Sequence, residues 1–89
     1  MKLRAGKFKY KIPKIGKAEF CYVAGNNEYC LYDMNLLHIS TDDMIRTNSE
    51  LRGLPTRFTI INQDTIRFWP TPDKPYVVRL RYTPPMVEI

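Results

Sequence analysis

Between Phe58 and Tyr82 the chain alternates apolar and polar side chains with a period of two over 65–68 and again over 78–82, a pattern that suits half-buried β-strands and little else. Tyr76, Val78, Leu80 and Tyr82 fall on one face, and Val77, Arg79 and Arg81 fall on the other. Just upstream, residues 58–61 and 65–69 flank Asn62, Gln63 and Asp64, which is the spacing of a β-hairpin. In its second strand Ile66 and Phe68 face away from Thr65, Arg67 and Trp69. Pro70, Pro72 and Pro75 fix φ and remove ladder donors, so 70–75 reads as a rigid turn, and Pro84 with Pro85 closes the last strand. With 89 residues there is apolar surface enough for one core and not for two.

Lys2, Arg4, Lys7, Lys9, Lys11, Lys14 and Lys17 all precede the first acid, Glu19, so the net charge of +5 belongs to the N-terminal stretch. Phe8, Tyr10 and Ile12 alternate with Lys7, Lys9 and Lys11, which predicts an edge strand with one solvated face, and residues 1–6 are free to form a flexible basic arm. Residues 20–23 and 29–32 are rich in aromatic and β-prone side chains around Gly25, Asn26 and Asn27, and they predict a further hairpin. Ser40 and Thr41 supply hydroxyl caps ahead of Asp42 and Asp43, so a short helix is expected over 42–48 with Met44 and Ile45 as its apolar contacts. Gly53 is expected to cap its end before Pro55. The fold class that follows is mainly β: a small antiparallel β-sandwich or barrel of about five to seven short strands with one short helix, forming a single domain over 1–89.

Catalytic chemistry finds no foothold in these residues. His38 is the only histidine, and no spacing pairs it with Cys21 or Cys30, so it reads as a surface or loop residue. Asp42 and Asp43 are neighbours on a helix start and point apart, while Gly25 and Gly53 are too isolated to cradle a phosphate. Cys21 and Cys30 flank a turn, so a disulfide is geometrically conceivable; without an export signal, reduced thiols are expected, and the paired spacing of a zinc site is missing. The expectation is a chain with no enzymatic activity, no cofactor and no metal. No apolar run approaches the roughly 20 residues of a membrane span, so no membrane partner is expected.

Binding is a better fit. Arg67, Arg79 and Arg81 are placed on the outward faces of strands expected to be neighbours, and Trp69 shares the Arg67 face; Trp and Arg are enriched as anchors of protein interfaces. Thr71 and Asp73 in the proline turn, together with the Asn62 turn, are the expected contact tips. Trp69 has the alternative of being covered by the proline turn of its own domain. A second class of reading makes the chain a small basic nucleic-acid-binding module, with Lys7, Lys9, Lys11 and Lys14 as phosphate contacts alongside Arg79 and Arg81. Against it, the same lysines are equally suited to a merely solvated strand.

The run Gly53-Leu54-Pro55-Thr56-Arg57-Phe58, then Phe68-Trp69-Pro70-Thr71-Pro72-Asp73, then Tyr76 to Tyr82 before a further proline, resembles the β core of tailed-phage head-to-tail adaptor and related tail accessory proteins. Ile12-Pro13 and the stretch from Leu37 to Asp43 fit the same pattern more loosely. The resemblance implies a virion structural protein, found in the host cytoplasm before assembly. It would be a homo-oligomer in the assembly, docked on portal, capsid or tail subunits. Adaptors of this group carry helices before and after the β core that pack into a ring against the portal, and these 89 residues have room for neither.

Overall fold

In the computed structural model, which describes residues 1–47 and 50–84, the 58–69 hairpin forms as its alternation requires. The elements run β1 (Lys9–Lys11), β2 (Lys17–Val23), β3 (Met34–Asn35), β4 (Leu37–His38), α1 (Thr41–Ile45), β5 (Arg52–Gly53), β6 (Arg57–Ile61), β7 (Thr65–Trp69), β8 (Thr71–Pro72) and β9 (Val78–Thr83). Asn62 and Gln63 both take positive φ, 53° and 63°, and the Asp64 N–H returns to the Ile61 carbonyl at 3.3 Å, which folds β6 back on β7 with the twist a hairpin needs. Phe58 and Phe68 become cross-strand partners, each all but sealed from solvent, and the ring of Tyr10 meets Phe68 edge-on at 5.8 Å. Burying each phenylalanine contributes about 1.5–3 kcal/mol.

Two sheets share one core. The first is ordered β1-β7-β6-β4 and the second β3-β2-β9, and a two-stranded ribbon, β5-β8, is hydrogen-bonded into neither ladder but follows directly on β7. Leu3, Ile15, Ala18, Cys21, Val23, Leu36, Phe58, Ile66, Phe68, Tyr76 and Val78 meet in a single buried cluster drawn from both sheets and from the segments between them. The chain crosses from one sheet to the other at Leu36, whose N–H bonds to Cys21 at 2.9 Å while the next N–H, from Leu37, bonds to Thr56. It crosses again between β1 and β2, where Ile12 and Ile15 donate to the Asp64 and Gln63 carbonyls and Gly16 donates to Thr83. The arrangement is an open sandwich, not a closed barrel.

Several expectations are corrected. Residues 29–32 are not a return strand, because the polar side chains of the turn take the backbone groups that a ladder would need. Asn27 Oδ1 accepts from the N–H of Tyr29 and of Cys30 at 2.9 and 3.0 Å, and Asp33 Oδ1 accepts from Gly25 at 2.7 Å. β2 pairs with β9 and β3 instead. Gly25 has ordinary φ; its lack of a side chain matters because a Cβ there would overlap the backbone of Tyr32 and Asp33. The helix is capped by Ser40, whose hydroxyl accepts from Asp43 N–H at 3.1 Å, and it ends at Arg46; Asn48 lies outside the described residues, as does Pro85. Met44 is buried, but Ile45 is exposed, since one and a half turns present a single side chain inward. Gly53 caps no helix: it pairs in parallel with Pro72, and β4 pairs in parallel with β6, so the sandwich is antiparallel except at these two short ladders. Phe8 lies under the Arg67 guanidinium, 5.0 Å from ring to charge, and so does not join Tyr10 and Ile12 against the core.

The basic N-terminal residues are docked where a loose arm was allowed. Met1 and Val78 exchange two backbone hydrogen bonds, of 2.8 and 2.7 Å, Leu3 N–H bonds to Tyr76, and the Leu3 side chain is fully buried. The apolar third residue fixes the arm, and Lys2 and Arg4 on either side of it stay in solvent.

Candidate docking surfaces

The outer face of the first sheet gathers three of the basic residues singled out from the sequence, Lys9, Lys11 and Arg67. Lys9 pairs across the ladder with Arg67, and Lys11 reaches Asp64 at 3.3 Å, an ion pair that holds the Asp64 carboxyl below its ordinary range together with a hydrogen bond from Thr65. Lys7 lies over the Tyr10 ring at 5.1 Å, and Lys14 is exposed on the connection to β2. Trp69 is half-buried with the Arg57 guanidinium 5.4 Å from its ring. Further along β6 this face is covered: α1 packs on the strand, and Met44 and Thr59 are buried outside the main core.

The proline turn is a packing element. Thr71 is only 5% exposed, because β8 is paired with β5 and Thr71 itself lies between buried Pro70 and Pro72, so it cannot act as a contact tip. Asp73 is exposed and accepts the Tyr76 hydroxyl at 2.8 Å; burial, then this hydrogen bond and charge, push the Tyr76 phenol up to about 12. Asn62 and Gln63 do project as an exposed tip.

Arg79 and Arg81 stand on the second sheet, not beside Arg67. Their cross-strand partners are Tyr22 and Phe20 on the central strand, and those two rings stack at 6.2 Å with planes 25° apart. Arg81 lies 5.9 Å from the Phe20 ring and binds Glu19 at 3.1 Å. This outward aromatic pair exists because Glu19 is a β-bulge: Ala18 opposes Tyr82 and Phe20 opposes Arg81, so two steps along β2 match one along β9. Ala18 and Cys21 can then both point inward with Phe20 turned out between them, 47% exposed. Simple alternation places Ala18 and Phe20 on the same face, and for that reason the sequence reading missed the pair.

A second surface was also missed. Leu31 and Tyr32 are each 77% exposed, Leu37 is 60% exposed, and Met34 lies between them, also exposed. All fall in the segment 31–37, which supplies the edge strand of each sheet in turn, β3 and then β4. Large apolar side chains along paired open edges are the features that native monomers ordinarily suppress. The composition hinted at this surface, since 31–37 carries five large apolar residues and only Leu36 among them is buried.

Cys21 and Cys30 are both buried free thiols, and burial pushes the Cys21 thiol up to about 12, out of reach as a nucleophile at neutral pH. Cys30 Sγ donates to the Tyr32 carbonyl. His38 is exposed and stacks on Phe58 at 4.6 Å, 12° from parallel, distant in kind from either thiol's buried setting. Comparison with protein-family models, curated proteins and solved structures returned no match.

Proposed function

We propose that the chain is a non-catalytic structural domain of a tailed-phage virion that docks on neighbouring subunits, copies of itself first among them, through the apolar edge at 31–37. One observation carries this reading: Met34 and Leu37 on the edge strands of the two sheets, with Leu31 and Tyr32 in the loop that leads into β3, hold large apolar surface in water. Burial against a partner repays that exposure at about 25 cal/mol per Å² of apolar area, and the edge strands offer backbone groups for register. The virion assignment is supported by the resemblance of the β6, β7 and β9 strands and their proline turns to the adaptor β core. Hydroxyl-radical footprinting of the chain, alone and within purified particles of the phage that encodes it, tests both parts. The expected result is strong labelling of Leu31, Tyr32 and Met34 in isolation and at least a fivefold loss of labelling in the particle. Absence of the chain from particles, or equal labelling in both states, overturns the proposal.

A second reading, nucleic-acid binding, is favoured by the stacked Phe20–Tyr22 pair beside Arg79 and Arg81, since aromatic rings flanked by guanidiniums on an open sheet can stack bases and neutralise phosphates. Salt separates the two. Affinity for a single-stranded oligonucleotide that falls steeply between 50 and 200 mM salt supports this module, with phosphate neutralisation setting the slope; association insensitive to salt supports apolar docking.

A further inference from the structure

We infer that the open edge of β9 is a strand-addition site for an extended segment of a partner protein whose residues alternate between apolar and acidic. This edge lies across the sheet from β3, so the inference goes beyond the docking reading and stands or falls without it.

The backbone provides the first argument. Val78 turns its N–H and C=O away from β2, toward Met1, whereas Val77 and Thr83 turn their carbonyls toward β2, to Ala24 and Gly16. By the alternation of an antiparallel ladder, Leu80 and Tyr82 therefore present their N–H and C=O outward, as Val78 does. Met1 to Leu3 occupy this side of the chain only as far as Val78, and among the described residues nothing hydrogen-bonds to the outward groups of Leu80 and Tyr82.

The neighbouring segment 12–15, between β1 and β2, cannot close the gap. The Ile12 N–H is already spent on the Asp64 carbonyl, Pro13 has no N–H, and the Ile15 N–H bonds to Gln63. What is left between them is a groove of about 370 Å³, lined by the apolar side chains of Met1, Ile12, Pro13, Val78, Leu80 and Tyr82 with Arg79 at its margin. An incoming strand hydrogen-bonded to β9 sends every second side chain into this groove, which selects apolar residues. Its other side chains emerge on the outer face beside Arg79 and Arg81. Arg81 already binds the carboxylate of Glu19 at 3.1 Å and keeps a side chain 70% exposed, and Lys17 is exposed at the same end of the sheet, so that face selects acids.

The test pans a random library of eight-residue peptides on the full chain and maps the enriched peptides by amide NMR. The expected outcome is a consensus alternating apolar residues with Asp or Glu, and at least tenfold slower solvent exchange at the Leu80 and Tyr82 amides. Methylation of every second peptide nitrogen should lower affinity at least tenfold, because it removes the ladder donors and leaves the side chains in place. R79E with R81E should reduce binding to a similar degree with the amide spectrum otherwise kept, and L31K with Y32K should leave it unchanged. No enrichment, protection of other amides, or indifference to N-methylation overturns the inference.

Discussion

Deleting Glu19 should leave the domain folded. In β2 the ladder steps from Ala18↔Tyr82 to Phe20↔Arg81, so Glu19 is the unpaired residue of the bulge. Its removal joins Ala18 to Phe20 as regular alternating neighbours, with Ala18 and Cys21 still inward and Phe20 still out. What is lost is the Arg81 ion pair, whose side chains are 70% and 42% exposed, worth at most about 1 kcal/mol for solvent-screened charges. Deleting Cys21, two positions on, is a different perturbation. It turns Val23, fully buried, out to water and drives Tyr22 into the core. Lost burial of one valine at about 1.5–3 kcal/mol and overpacking at about 1–3 kcal/mol together give roughly 2.5–6 kcal/mol, a large part of what a small domain possesses. Urea unfolding followed by Trp69 fluorescence compares the two. The reasoning is refuted if removal of Glu19 costs as much as removal of Cys21, for then the bulge is required by the fold and does not merely turn Phe20 outward.

Other consequences can be checked on the same protein. Gln63 sits at φ 63° without the freedom of glycine, so Gln63→Gly should raise the urea midpoint by an amount worth up to about 1 kcal/mol. Gly25→Ala forces the Tyr32–Asp33 backbone to move and should cost about 1–3 kcal/mol in thermal or urea unfolding, as overpacking does elsewhere. The folded chain keeps the Cys21 proton to about 12 against an ordinary 9.0, and the Tyr76 proton to about 12 against 10.0. Between those limits the unfolded chain loses protons that the folded chain retains, so stability is intact below pH 9 and falls as pH rises. Cys21 contributes a slope of about 1.4 kcal/mol per pH unit above pH 9, and Tyr76 adds to the decline above pH 10. Unfolding curves from pH 8 to 11 should show this decline, with the onset delayed in Cys21→Ala.

Where the physics is local, the sequence was sufficient. The β6–β7 hairpin, the inward face of β7, the lysine-edged β1 and the Ser40 cap all follow from period, turn chemistry and capping within a few residues; along β9 the expected inward face holds at Val78, fades at half-buried Leu80 and ends at Tyr82, which is exposed. Pairings between distant segments were not legible. Nothing near Arg52 announces that it will pair in parallel with Thr71, so the sequence points to an exposed tip where the fold buries the residue. Arg67 and Arg79 carry the same alternating signature, yet they belong to different sheets, because β9 pairs with β2 and not with β7. The apolar edge at 31–37 was hidden for a related reason: large apolar residues ordinarily read as core, and only the side-chain polar groups of Asn27 and Asp33, by coiling the preceding loop, turn Leu31 and Tyr32 outward.

Sedimentation velocity over a range of concentrations tests the docking account most directly. Wild-type chain should associate progressively, with little response to added salt, while the triple substitution L31K, Y32E and L37K should remain monomeric with an unchanged far-UV circular dichroism spectrum. A wild-type chain that stays monomeric at every concentration, or a folded triple variant that associates as strongly, contradicts the claim that this edge is built to be covered.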